Sequence, residues 1–134
     1  MDGSSEALEA AAVWSGLLIL LLIVLAFLVV RQRQAHKVLL GHGDVPSLEQ
    51  ASRVFGNAIE YVPAGVAGLT LLALVGAHPS AIHAVGGALL LGRVLHAFGL
   101  SRSPGTSPGR FLGTLLTWTA LVLIGTGLIG YGVT

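Results

Sequence analysis

Hydropathy along this chain moves in long waves rather than in the short alternation of half-buried strands. Residues 10–30 run without a charge. At about 1.5 Å per helical residue, that is enough to cross a hydrocarbon core of roughly 30 Å. Residues 61–92 are again uncharged, too long for one crossing. They are interrupted at 76–80 by Gly-Ala-His-Pro-Ser, which suits a tight turn between antiparallel helices. From residue 111 to the last residue there is no charge at all. The remaining breaks are Gly41-His42-Gly43-Asp44-Val45-Pro46 and the Ser/Gly/Pro/Thr stretch 101–109. This pattern predicts helices over about 9–37, 48–75, 80–100 and 109–133, forming one domain over 1–134. The fold class is all-α, an integral-membrane four-helix bundle. Ser47, three residues before Gln50, predicts a capping box at the start of the second helix. Pro63 removes a backbone donor inside that helix and predicts a kink.

Composition sharpens this picture. Hydrophobic residues make up 54% and charged residues 10% of the chain, against about a quarter charged in soluble domains. A formal net charge of +1 gives no footprint for nucleic acid. Cysteine is absent, which excludes disulfides, thiolate metal sites and a cysteine nucleophile, so any thiol chemistry must use a thiol carried by a ligand. The chain starts acidic (Asp2, Glu6, Glu9), unlike the basic start of a cleaved signal peptide, so the first helix is read as retained. Five of the seven cations, Arg31, Arg33, Lys37, Arg102 and Arg110, sit in or beside the first and third loops. The positive-inside rule then makes those loops cytoplasmic and sends both termini outward.

The polar residues inside the apolar runs carry the chemistry. At a hundred degrees per residue, Arg53, Asn57, Glu60 and Tyr61 fall within roughly a third of a turn at the start of the second helix. Charged groups at the mouth of a membrane helix are costly unless paired or facing a watery cavity. One reading is therefore a buried Arg53–Glu60 pair that only fixes packing, and the other is a ligand site. Arg93 and His96 lie near the same end of the third helix, and Arg110 opens the fourth. Every such charge collects at one side of the bundle.

Weaker signals are read structurally. His36, His42 and Asp44 are solvated interfacial residues rather than metal ligands, and no metal site is expected. His78 and His83 belong to the opposite side as turn and interface residues. Trp14 and Trp118 are anchors or packing groups. Ala84, Ala88 and Gly92 form a small-residue ladder for close helix approach. Gly125-Thr126-Gly127-Leu128-Ile129-Gly130 has the letters of a dinucleotide fingerprint but follows no strand, and is read as a packing surface. No Ser/His/Asp arrangement suggests a triad.

Arg53, Asn57, Glu60, Tyr61 and Pro63 resemble the Arg-x-x-x-Asn-x-x-Glu-Tyr-x-Pro signature of the MAPEG family, the membrane-associated proteins in eicosanoid and glutathione metabolism. Gly92-Arg93-Val94-Leu95-His96 resembles its third-helix motif, and Arg110 the arginine that opens its fourth helix. The likeness runs in order through nearly the whole chain, which is also close to the short bacterial type. Where the family often carries tyrosines late in the third helix, this chain has His96 and Leu100.

The resemblance implies a homotrimer of four-helix bundles in a bacterial inner membrane, with glutathione as co-substrate near the cytoplasmic face. Glutathione needs cations for two carboxylates, an acid for its ammonium, and polar groups for its amides. Arg31 or Arg33, Arg53 and Arg93 supply the first, Glu60 the second, and Asn57 and Tyr61 the third, with His96 beside them. Arg110 takes the catalytic role of holding the thiolate. The expected function is a membrane-bound glutathione transferase or peroxidase acting on apolar electrophiles or lipid hydroperoxides that arrive from the bilayer. The alternative is a non-catalytic lipid- or glutathione-binding scaffold of the same fold, which would need no cation at the thiol. A transporter ranks third, because no internal repeat or pair of broken helices is visible.

Overall fold

A computed structural model describes residues 3–133. Met1, Asp2 and Thr134, and with them one carboxylate of the acidic start, lie outside the described residues. The chain forms α1 (Gly3–His36), α2 (Pro46–Leu74), α3 (Pro79–Arg102) and α4 (Pro108–Gly132). All four are long and apolar enough to cross a membrane, and together they make an all-α membrane bundle. The bounds lie within a few residues of those expected from hydropathy, except that α1 reaches back to Gly3. Glu6 in its first turn suits the positive end of the helix dipole there.

Among the described residues α1 packs on α2 and α3 but not on α4, whereas α4 packs on α2 and α3. The two middle helices thus form a central pair flanked by the outer two. One core cluster runs through Leu18 of α1, Val62 and Leu69 of α2, Leu89 of α3, and Ala120 and Ile124 of α4. A second cluster, Leu25, Val54, Ala58, Ala97 and Leu100, joins the C-terminal half of α1 to the start of α2 and the end of α3. That end carries the first and third loops and is called the basic end below.

Large apolar side chains such as Leu20, Ile23 and Phe27 point outward from α1. In lipid, outward Leu and Ile cost nothing, so the interior selects small side chains that let backbones approach. The closest approach is between α3 and α4. A Cβ at Gly92 would stand 2.8 Å from Thr117 Oγ1 and 2.9 Å from the Gly113 carbonyl, and one at Gly99 would stand 2.8 Å from the Arg110 nitrogen. Gly92 and Gly99 against Gly109 and Gly113 therefore form the tight seam. The expected Ala84–Ala88–Gly92 ladder holds only at Gly92, since Ala84 is exposed and Ala88 half-buried. Of the 125–130 segment, Leu128 packs against the core, but its glycines make little close contact among the described residues. A Cβ at Gly125 or Gly130 would meet nothing within 4 Å, and only Gly127 approaches a neighbour, Leu72.

Local signals fix the helix ends. After α2, Ala77 N–H donates to Leu72 O and Gly76 N–H to Ala73 O, a Schellman closure with Gly76 at φ +89°, where a side chain would be strained. α1 closes the same way through Val38 to Arg33 and Lys37 to Gln34, but with Lys37 itself at φ 55°. The capping box expected at α2 is absent. Val45 is the N-cap without a side-chain bond, and Pro46 opens the helix. Ser47 Oγ instead donates to Gln32 Oε1 (2.9 Å), and Gln50 Nε2 donates to Leu100 O (2.6 Å). The polar pair ties α2 to its neighbours rather than to its own first turn. α2 continues through Pro63 as one element.

Candidate functional site at the basic end

The second-helix stripe divides on folding. Arg53 and Glu60 are exposed, Asn57 and Tyr61 half-buried. On the helical wheel Asn57 and Tyr61 lie roughly 40° and 80° from Arg53 on one side, and Glu60 about 20° on the other. The inner pair meets α3 and the outer pair does not. Among the described residues Arg53 and Glu60 form no ion pair.

Arg93, 1% exposed, is what the inner pair meets. Its Nη1 donates to Asn57 Oδ1 (2.7 Å) and its Nε to Thr117 Oγ1 (2.8 Å). The guanidinium carbon lies 4.8 Å from the centre of the Tyr61 ring, a cation–π contact that is stronger away from water. Tyr61 in turn accepts from Trp118 Nε1 (3.2 Å), and Thr117 donates to Gly113 O (2.7 Å). Arg93 thus knots α2, α3 and α4 together one turn below the opening, and its Nη2 is buried without a partner.

Above this knot a cavity of about 450 Å³ is lined by Glu49, Gln50, Arg53 and Asn57 of α2, His96 and Leu100 of α3, and Arg110 of α4, with Pro46 and Pro104 at its rim. Its size falls within the roughly 300–1,000 Å³ of small-molecule pockets. Arg53, Asn57, His96 and Arg110 are therefore brought together. Arg93, Tyr61 and Glu60 do not line it. Arg31 lines a separate cavity of about 280 Å³ with Gln32, Ser47, Gln50 and Ser101, and Gln50 stands between the two. Arg33 donates to Gly41 O (2.9 Å) and pins the first loop.

Arg110 is positioned by backbone. Ser107 caps α4 by accepting from the Arg110 N–H (3.3 Å). Arg110 Nη1 donates to Pro104 O (3.0 Å) and to Gly105 O, while Nε and Nη2 have no partner among the described residues. A cation with its fork half-engaged and half-open, at the positive end of a helix, is suited to hold an anion. His96 lies across the glycine seam from it and is 6% exposed. Both residues also line a third cavity, about 310 Å³, with Thr106, Ser107, Phe111 and Thr114. Phe111 is 69% exposed, so this cleft opens to the outer surface of α4.

Glu49 and Gln50 were not singled out as site residues from the sequence. The signal was available: Glu49, Arg53 and Asn57 recur every four residues, extending the stripe one turn toward the N-terminus. Elsewhere, His36 Nδ1 contacts Gln32 O (3.0 Å), and no group of three or more His, Asp or Glu side chains lies close enough to hold a metal among the described residues. At the opposite end His78 caps α3, and His83 accepts from Trp14 Nε1 (3.0 Å).

A sequence model of the MAPEG family matches residues 11–130. Over 114 residues the chain is 34% identical to a protein of Escherichia coli K12 named inner membrane protein YecN, an alignment that spans 85% of this chain and 86% of that protein. The protein of the same name from Escherichia coli O6:H1 is similar to the same extent.

Proposed function

The chain belongs to the MAPEG family, and from that premise we propose that it is a glutathione-dependent transferase or peroxidase of a bacterial inner membrane. One observation carries the reading. In a bundle built almost entirely of apolar helices, Arg53, Asn57, His96 and Arg110 converge on one cavity at the basic end. Polar groups at membrane depth that face a cavity together, rather than one another, are the signature of a ligand.

In this reading a glutathione carboxylate lies on the exposed Arg53 guanidinium, and Asn57 and Gln50 face its amides. Glu49 lines the same cavity and offers a carboxylate for the ammonium. Glu60 and Arg31 would join it only across a contact between copies, in keeping with a homotrimer. Glu60 is an exposed carboxylate on a membrane-spanning helix, and such groups face protein or water rather than lipid. The thiol lies toward Arg110, whose free Nε and Nη2 favour the anion. Thiolate rather than thiol is the nucleophile. The cleft past Phe111 lets an apolar electrophile approach the sulfur from the bilayer.

Isothermal titration of the purified protein with glutathione, followed by turnover with an aryl halide and with a lipid hydroperoxide, tests this. Micromolar to millimolar binding with turnover supports it. Binding without turnover would favour the scaffold reading, and no binding would refute both.

A further inference from the structure

Accepting the glutathione reading as its basis, we propose that His96 is the proton donor to the leaving oxygen when a lipid hydroperoxide is reduced at this site. His96 and Arg110 both line the polar cavity on one side and the outward cleft on the other. A sulfur held by Arg110 and an apolar substrate entering past Phe111 therefore meet beside the imidazole. The backbone of His96 is held close against α4: a Cβ at Gly113 would stand 2.5 Å from the His96 nitrogen and 2.7 Å from its Cβ. Neither ring nitrogen has a hydrogen-bond partner among the described residues, and neither is among the sealed, unpartnered polar atoms. The nitrogens open on the cavities.

The chemistry requires such a group. The thiolate attacks the distal oxygen of R–O–O–H; the S–O bond forms, the O–O bond breaks, and the electron pair leaves on the RO oxygen. An alkoxide is a poor leaving group unless protonated as it departs, and general acids contribute about 10²–10⁴-fold to such steps. The proton released as the thiol ionises beside Arg110 passes through the His96 imidazole to that oxygen, giving the alcohol and the sulfenic acid of glutathione. Sulfur is oxidised and the peroxide reduced. A second glutathione converts the sulfenic acid to the disulfide and releases water. The hydroxyls of Ser107 and Thr114 in the same cleft are far weaker acids. Displacement of chloride from an aryl halide, by contrast, needs no proton on the leaving group.

The test compares the whole protein with H96Q and H96F in three reactions: a lipid hydroperoxide, a peracid, and 1-chloro-2,4-dinitrobenzene. The expected result is a ratio of hydroperoxide to aryl-halide turnover at least about ten-fold lower in both variants. The loss should be smaller with the peracid, whose carboxylate departs without help. Equal losses in all three reactions would make His96 a structural residue and overturn the proposal, as would a fully active H96Q. A parent protein that conjugates the aryl halide but reduces no peroxide would overturn it while leaving the glutathione reading intact. A parent that binds no glutathione would remove both.

Discussion

Arg93 Nη1 and Asn57 Oδ1 meet at 2.7 Å across α3 and α2, inside a bundle where Arg93 is 1% exposed. This bond makes the site's floor a structural element as well as a polar one. A buried guanidinium costs more with each unmatched donor, and Nη2 is already without a partner, so the Asn57 bond positions Arg93 as much as Asn57 faces the cavity.

Asn57→Leu should therefore destabilise the bundle by about 1.5–3 kcal/mol, the range for hydrogen bonds to charged groups. Adding Arg93→Met should recover part of that loss, because removing both partners leaves no orphaned charge. Thermal unfolding in detergent of the single and double variants reads this. Simple addition of the two losses would show that the pair is not coupled.

The seam between α3 and α4 makes a second prediction. A Cβ at Gly113 would press on the backbone and Cβ of His96, and backbone cannot swing aside as a flexible side chain can. Gly113→Ala should lower the unfolding temperature and reduce turnover together, since separating the helices also separates His96 from Arg110. Gly125→Ala, where a Cβ meets nothing within 4 Å, is the matched control and should hold or raise the unfolding temperature, since alanine is favoured over glycine inside a helix.

Orientation is open to labelling, since the chain has no cysteine of its own. His42→Cys and Gly105→Cys at the basic end should react only with a reagent that enters the cytoplasm, and Val75→Cys only from outside. The reverse pattern would invert the protein in its membrane.

Glu60 separates assembly from binding. If it serves glutathione across a contact between copies, Glu60→Gln should weaken glutathione affinity and leave the oligomeric state, read by native mass spectrometry, the same as in the parent. Loss of the oligomer, with unchanged affinity in what stays folded, would assign Glu60 to packing alone.

How far the sequence disclosed all this varies by element. Helix number and most ends were legible because long uncharged runs and Gly/Pro breaks mark them, but the start of α1 at Gly3 was not, since its polar, acidic first turns carry little apolar signal. The division of labour within the stripe was not legible either. Arg53, Asn57, Glu60 and Tyr61 share an arc of about 100°, but which edge of that arc turns inward depends on Arg93, a residue on another helix. Nor could hydropathy say which apolar face is buried, since Phe27 in lipid and Leu18 in the core satisfy it equally. The Ser47–Gln50 pair misled for a related reason. A capping box and a pair of tertiary bonds use the same side chains, and Pro46 already opens the helix.

We propose that Arg110 holds glutathione as its thiolate. A free thiol has a pKa near about 8.5, so a few per cent is ionised at neutral pH. Lowering that by one to two units needs about 1.4–2.7 kcal/mol of preference for the anion, which a half-engaged guanidinium at a helix N-terminus can supply. The direct measurement is the ultraviolet thiolate absorbance of the glutathione complex, taken for the parent and for Arg110→Ala at matched saturation. The expected result is a clear thiolate band in the parent, its loss in the variant, and a fall in turnover of about ten-fold or more. A variant that keeps the full band and full turnover would contradict it, leaving Arg110 as an anchor for the third loop.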